Sequence, residues 1–133
     1  TTTVAPTTTT TTTTTLAPRN GAIAVSSSVA GHLPVRMNGQ WTFTPTDRRS
    51  LTVAVASSDF YSRIKVYGPD SVLRGTSVAS GFMGSSMLVL SGDLCGEGEY
   101  TIVVDSRIDY HWGDYTLTLT PGGLIWDSAN PSC

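Results

Sequence analysis

The chain is predicted to be all-β, a jelly-roll-like β-sandwich of about seven to nine short antiparallel strands with an extended N-terminal arm. Three observations carry that expectation. Apolar residues alternate at period two through most of the chain, the spacing of strands with one face in a core. No stretch of eleven or more residues places apolar side chains at i, i+3, i+4 and i+7, so no amphipathic helix is expected. Gly, Ser, Thr and Pro interrupt the apolar runs about every ten residues, the turn interval of a two-sheet sandwich.

Taken in order, Ala22 to Val25 and Val29 to Val35 read as weak strands broken by Ser and Gly. Gln40 to Thr44 is a clean strand with Trp41 and Phe43 on one face, closed by a polar turn from Pro45 to Arg49. Leu51, Val53 and Val55 share one side of the next strand, with Thr52, Ala54 and Ala56 opposite. Ile64 to Tyr67 repeats the alternation before a Gly68-Pro69-Asp70 turn. Met87-Leu88-Val89-Leu90 is apolar on both faces and is therefore expected to be a central strand. Tyr100, Ile102 and Val104 share a face of the strand from Glu99 to Val104. Between Asp114 and Thr120, Tyr115, Leu117 and Leu119 oppose Thr116, Thr118 and Thr120. Leu124-Ile125-Trp126 is expected to be a last strand closing the core, the other reading being an apolar patch for a neighbour.

The stretch 1–18, TTTVAPTTTTTTTTTLAP, stands apart from the domain expected over 19–133. Twelve of its first fifteen residues are threonine, with an unbroken run from Thr7 to Thr15. Such a segment lacks the apolar surface to offset the entropy of ordering its own backbone. Threonine is β-branched and favours an extended chain, and each hydroxyl is a hydrogen-bonding group or an O-glycan acceptor. Two readings follow: a mucin-like stalk, or an arm held as a strand by a neighbouring copy.

A net charge of -2 with 14% charged residues gives no basic surface for nucleic acid and no polybasic patch for anionic lipid. No apolar run reaches the roughly 18 to 20 residues of a membrane span. The sequence begins with Thr rather than Met, as expected of an exported product after leader removal, and the predicted location is secreted, extracellular or at the cell surface. The two cysteines, Cys95 and Cys133, suit that compartment. One reading pairs them, clipping the C-terminal tail onto the domain for about 4 kcal/mol by loop-entropy reasoning; the other leaves them free or pairs them between chains. Neither a C-x-x-C nor a Cys/His set at metal spacing is present, so no metal centre or cofactor is expected.

Four segments occur in a recognisable order: Gly39 to Phe43, Ile64 to Asp70, Gly98 to Val104 and Gly113 to Leu119. Over about residues 21–120 this order of strand signatures resembles pre-peptidase C-terminal (PPC) domains. The resemblance implies a small secreted jelly roll without catalysis of its own, usually an accessory to a peptidase. The arm-plus-domain layout is also similar to subunits of strand-exchange pili, by layout and not by motif.

No catalytic constellation is legible. Gly81 to Ser85 has the wrong spacing for a nucleophile elbow, and neither His32 nor His111 has a sequence-local Ser or Cys. The protein is therefore expected not to be an enzyme. One polar cluster remains, the loop from Asp105 to Asp114, whose carboxylates Asp105, Asp109 and Asp114 suit calcium and whose Tyr110 and Trp112 suit stacking on a sugar ring. The plainer reading is a solvated hairpin loop with its aromatics packed on the sandwich edge.

The leading functional expectation is a structural subunit that self-assembles head to tail into an extracellular glycofibril, its arm inserted as a strand into another copy. About eighteen extended residues reach roughly 60 Å, whereas a domain of this size is roughly 35 Å across. Val4 and Leu16 would fix register at either end of the polar run. Period two then places Thr7, Thr9, Thr11, Thr13 and Thr15 against the acceptor and leaves Thr8, Thr10, Thr12 and Thr14 for O-linked glycan, or the reverse. Asn130-Pro131-Ser132 has proline in the forbidden position, so any glycan is expected on Thr or Ser. The alternative expectation is a carbohydrate-binding or accessory PPC-like module on an O-glycosylated stalk, with a polysaccharide as partner.

Overall fold

The computed structural model describes Thr3 and residues 16–79, 84–91 and 94–124. Within them the chain forms nine strands and no helix. They are β1 (Gly21–Ala22), β2 (Ser27–Leu33), β3 (Gly39–Phe43), β4 (Arg49–Ala56), β5 (Ser62–Tyr67), β6 (Leu73–Val78), β7 (Ser86–Leu90), β8 (Tyr100–Ser106) and β9 (Gly113–Leu124). Two sheets stack as a sandwich. Sheet A runs β1-β3-β8-β5-β6 and sheet B runs β2-β9-β4-β7.

The alternation read in the sequence is what makes the interior. Trp41 and Phe43 of β3, Ile64 and Val66 of β5, and Tyr100, Ile102 and Val104 of β8 point inward from sheet A. Leu51, Val53 and Val55 of β4 meet them from sheet B, with Tyr115, Leu117 and Leu119 of β9. The Trp41 indole N–H donates to the Tyr115 hydroxyl at 2.7 Å across the sandwich, so neither polar tip is buried unpaired. Gly31 of β2 is required here, because a Cβ at that position would overlap the Tyr115 ring.

The two flanks of the sandwich are closed differently. At one, β1 joins the edge of β3 in parallel, Gly21 opposite Trp41, where an antiparallel strand was expected. The other pairings are antiparallel. At the opposite flank β6 lies over β7, Gly75 facing Leu88 closely enough that a Cβ would stand 3.1 Å from its methyls. Ser62 of β5 is buried there, its hydroxyl 2.6 Å from that of Ser86 on β7. Gly84, at φ 65°, leads into β7 where any side chain would strike the Ser57 and Phe60 carbonyls.

Three sequence expectations change. Met87 to Leu90 is not central: β7 is the outer strand of sheet B, paired with β4, and Met87 and Val89 are 64% and 59% exposed. Its apolar outward face, not burial, produced the unbroken run. Strand β6 is a second outer strand without a period-two signature, because its Arg74, Gly75 and Thr76 hide the alternation. Leu124 ends β9 rather than beginning a further strand, while Ile125 and Trp126 lie outside the described residues.

Candidate functional site

The arm's entry into the domain is defined. The Pro18 carbonyl accepts the His32 N–H of β2 at 3.1 Å, and Arg19 Nε donates to the Asn38 carbonyl at 2.5 Å. Asn20 Oδ1 accepts the Gln40 N–H at 2.9 Å, and Ile23 N–H donates to Thr42 at 2.9 Å. Pro18 is therefore held by β2, and from Asn20 to Ile23 the chain is stitched along β3. Upstream, Leu16 is 65% exposed. The other expected arm positions, Val4 and Thr7 to Thr15, lie outside the described residues, as does Cys133. Cys95 does not stand as a free thiol.

The acidic loop is taken apart by the fold. Asp105 lies on β8 in sheet A and holds Arg63 through two bonds, 2.8 Å to Nε and 2.6 Å to Nη2, which raises the guanidinium pKa above its ordinary value. Asp114 lies on β9 in sheet B, 2.8 Å from His32 Nδ1. Asp109 stays exposed in the connecting loop. Asp105 and Asp109 thus share a cleft with Arg63 while Asp114 faces His32, and no cluster of metal-ligating side chains occurs among the described residues. Tyr110 and Trp112 are exposed rather than packed on the sandwich edge. Tyr110 meets His111 edge-on at 5.2 Å, and His111 stacks on Tyr61 at 6.1 Å.

The exposed large apolar side chains fall into two groups. Leu16 precedes the arm's entry, Val35 and Met37 lie on the β2–β3 connection, and Tyr110 and Trp112 lie on the β8–β9 connection; Met37 and Asp109 share the lining of a polar cleft of about 260 Å³ with Arg36 and Arg63. Val72, Leu73, Val78, Met87 and Val89 lie along the β6/β7 flank, on the far side of the sandwich from β1 and β2. A groove of about 510 Å³ runs there between Ala54, Ala56, Val78, Met87, Thr116 and Ser77. No sequence signal announced it, because it combines the outward faces of strands far apart in the chain.

Sheet B's outer face is unusual in its chemistry. Pairing register aligns Met87, Ala54, Thr118 and Ser28 in one row and Val89, Thr52 and Thr120 in the next. Among the described residues, the acidic and basic side chains of sheet B are the mutually paired His32 and Asp114 at one end and Arg49, paired with Asp47, where β4 begins.

The architecture is that of a PPC-like β-sandwich. It matches the pre-peptidase C-terminal domain of a collagenase from Bacillus anthracis with a TM-score of 0.61 at 12% identity, over 75% of this chain and 93% of that one. It is also similar to PliG, a periplasmic inhibitor of g-type lysozyme from Aeromonas hydrophila, with a TM-score of 0.53 at 16% identity over 77% and 99% of the two chains. No family model and no curated protein matches the sequence. No helix among the described residues is long and apolar enough to cross a membrane.

Proposed function

We propose that the chain is a secreted, non-catalytic structural subunit that polymerises head to tail into an extracellular glycofibril, each copy's arm adding a strand to another copy. The observation that carries this reading is that exposed apolar side chains of the β2–β3 connection, Val35 and Met37, sit at the opposite flank of the sandwich from those of β6 and β7. Unlike surfaces placed apart on one molecule make a heterologous contact, which extends indefinitely unless the rotation closes a ring. The arm supplies reach and main-chain groups for pairing, and O-linked glycan on its outward threonines covers the new edge. A Cys95–Cys133 bridge anchors the C-terminal tail. Similarity in fold to a domain of a collagenase and to a periplasmic inhibitor supports a location outside the cytoplasm.

Deleting residues 1–15 tests the reading. The buried core of the described residues begins at Ile23, so the truncated protein is expected to fold and to remain monomeric in sedimentation and in negative-stain images where the full chain forms filaments. Filaments from the truncated chain would end the reading. A second reading, a polysaccharide-binding module, draws on the exposure of Tyr110 and Trp112; it requires saturable polysaccharide binding that Trp112→Ala abolishes, by a protein that stays monomeric at full length.

A further inference from the structure

We infer that the acceptor for the arm is the outer edge of β7 with the groove beside it, and that its occupant is the Thr7–Thr15 segment of a second copy. This rests on the polymer reading above and specifies its docking site. The four outer strands of the two sheets are not equivalent. β1 caps β3, and the segment from Asn20 to Ile23 holds that edge. On β2 the His32 N–H is already taken by Pro18 of its own chain. β6 carries Arg74, bound to Asp70 at 3.2 Å and Glu97 at 3.3 Å, and its register with β5 slips at Tyr67. A charged, irregular strand of that kind resists augmentation. β7 has neither defence: it is regular over Ser86 to Leu90, carries no charge and pairs with β4 alone among the described residues.

Chemistry selects the same strand. The arm is uncharged from Thr1 to Pro18, and a partner bearing unpaired charges would lose their hydration for nothing. The groove is lined by Ala54, Ala56, Ser77, Val78, Met87 and Thr116, small or apolar groups without a formal charge. Threonine methyls pack on such a surface while their hydroxyls reach the serines and threonines, as Ser28 and Thr118 already do at 2.8 Å. By contrast the polar cleft on sheet A offers Arg36, Arg63, Asp105 and Asp109, which a threonine ribbon cannot pair. Length agrees as well, since the five residues of β7 need only five of the nine consecutive threonines and the remainder spans the gap between copies.

The test uses full-length protein carrying Met87→Lys and Val89→Lys. Both side chains point to solvent, so thermal stability should be unchanged, while filaments disappear and the protein sediments as a monomer. Arg74→Ala on β6 should assemble as the unaltered chain does. Filaments of normal length from the folded double variant overturn the β7 assignment, and the polymer reading then stands or falls separately with the 1–15 deletion. A photo-cross-linking side chain at Met87 gives a readout independent of the lysines. In a mixture of isotopically light and heavy chains, adducts to the peptide ending at Arg19 of the other copy support the assignment. Adducts confined to other peptides, or none, overturn it.

Discussion

The outer faces of the two sheets differ in a way that the shared interior does not. Sheet A turns Gln40, Arg63, Lys65, Tyr67, Thr101 and Asp105 to solvent, with Arg63 and Asp105 neutralising each other across neighbouring strands. Sheet B turns out Thr52, Ala54, Thr116, Thr118, Met87 and Val89, with charge among the described residues held at its ends by the His32–Asp114 and Arg49–Asp47 pairs. Hydrated ionic groups hold water and need no partner, whereas an outer strand with methyl and thioether groups and no charge lacks the usual defences against pairing. One face is built to stay wet. The other is the surface on which a hydroxyl-rich, uncharged ribbon loses least hydration.

If that contrast governs assembly, its largest consequence is all-or-none: charge placed at Met87 and Val89 stops polymerisation, and charge reversal at Lys65 on sheet A does not. Sedimentation of the two sets of variants side by side checks it. Next in size is the difference between the two sides of β9. Leu117→Ala, which empties a wholly buried site, should cost about 2–5 kcal/mol, while Thr118→Ala on the outer face should change stability by no more than about 0.5 kcal/mol. Chemical denaturation measures both, and equal effects would mean that the outer face of sheet B is structural rather than available.

Smaller effects sharpen the account of sheet A. Asp105→Asn removes the two-pronged bond to Arg63; because the pair is partly solvated, the expected cost is about 1 kcal/mol or less, with filament growth unchanged. Tyr100 gives the least. Burial first, and then its hydrogen bond to Glu97, push the phenol up to about 12. The unfolded chain ionises near 10 and the folded one near 12, so stability is fully present below pH 10 and is lost as pH rises through that window. Tyr100→Phe should flatten the decline between pH 10 and 12 in a series of thermal melts.

How much of this was legible beforehand follows from where each residue points. Strands with one wet and one dry face, such as β3, β4 and β9, declared themselves through Trp41 and Phe43, Leu51 to Val55, and Tyr115 to Leu119. The outer strands did not. β7 is apolar on both faces because its outward residues are exposed Met87 and Val89, so the pattern was indistinguishable from a buried central strand. β6 breaks alternation with Gly75, which is there to let Leu88 approach. The acidic loop looked like a ligand set only because Asp105, Asp109 and Asp114 are close in sequence; β8 and β9 belong to different sheets and carry the first and last of them to different partners. The groove beside β7 had no local signature, since register assembles it from β4, β6, β7 and β9.

The central claim is that another copy's sheet pairs with the threonine run. Amide hydrogen exchange of residues 7–15, followed in assembled filaments and in dilute monomer, tests this most directly. The account predicts strong protection in filaments and free-peptide rates in the monomer. Free-peptide rates in filaments, or equal protection in the monomer, would contradict it.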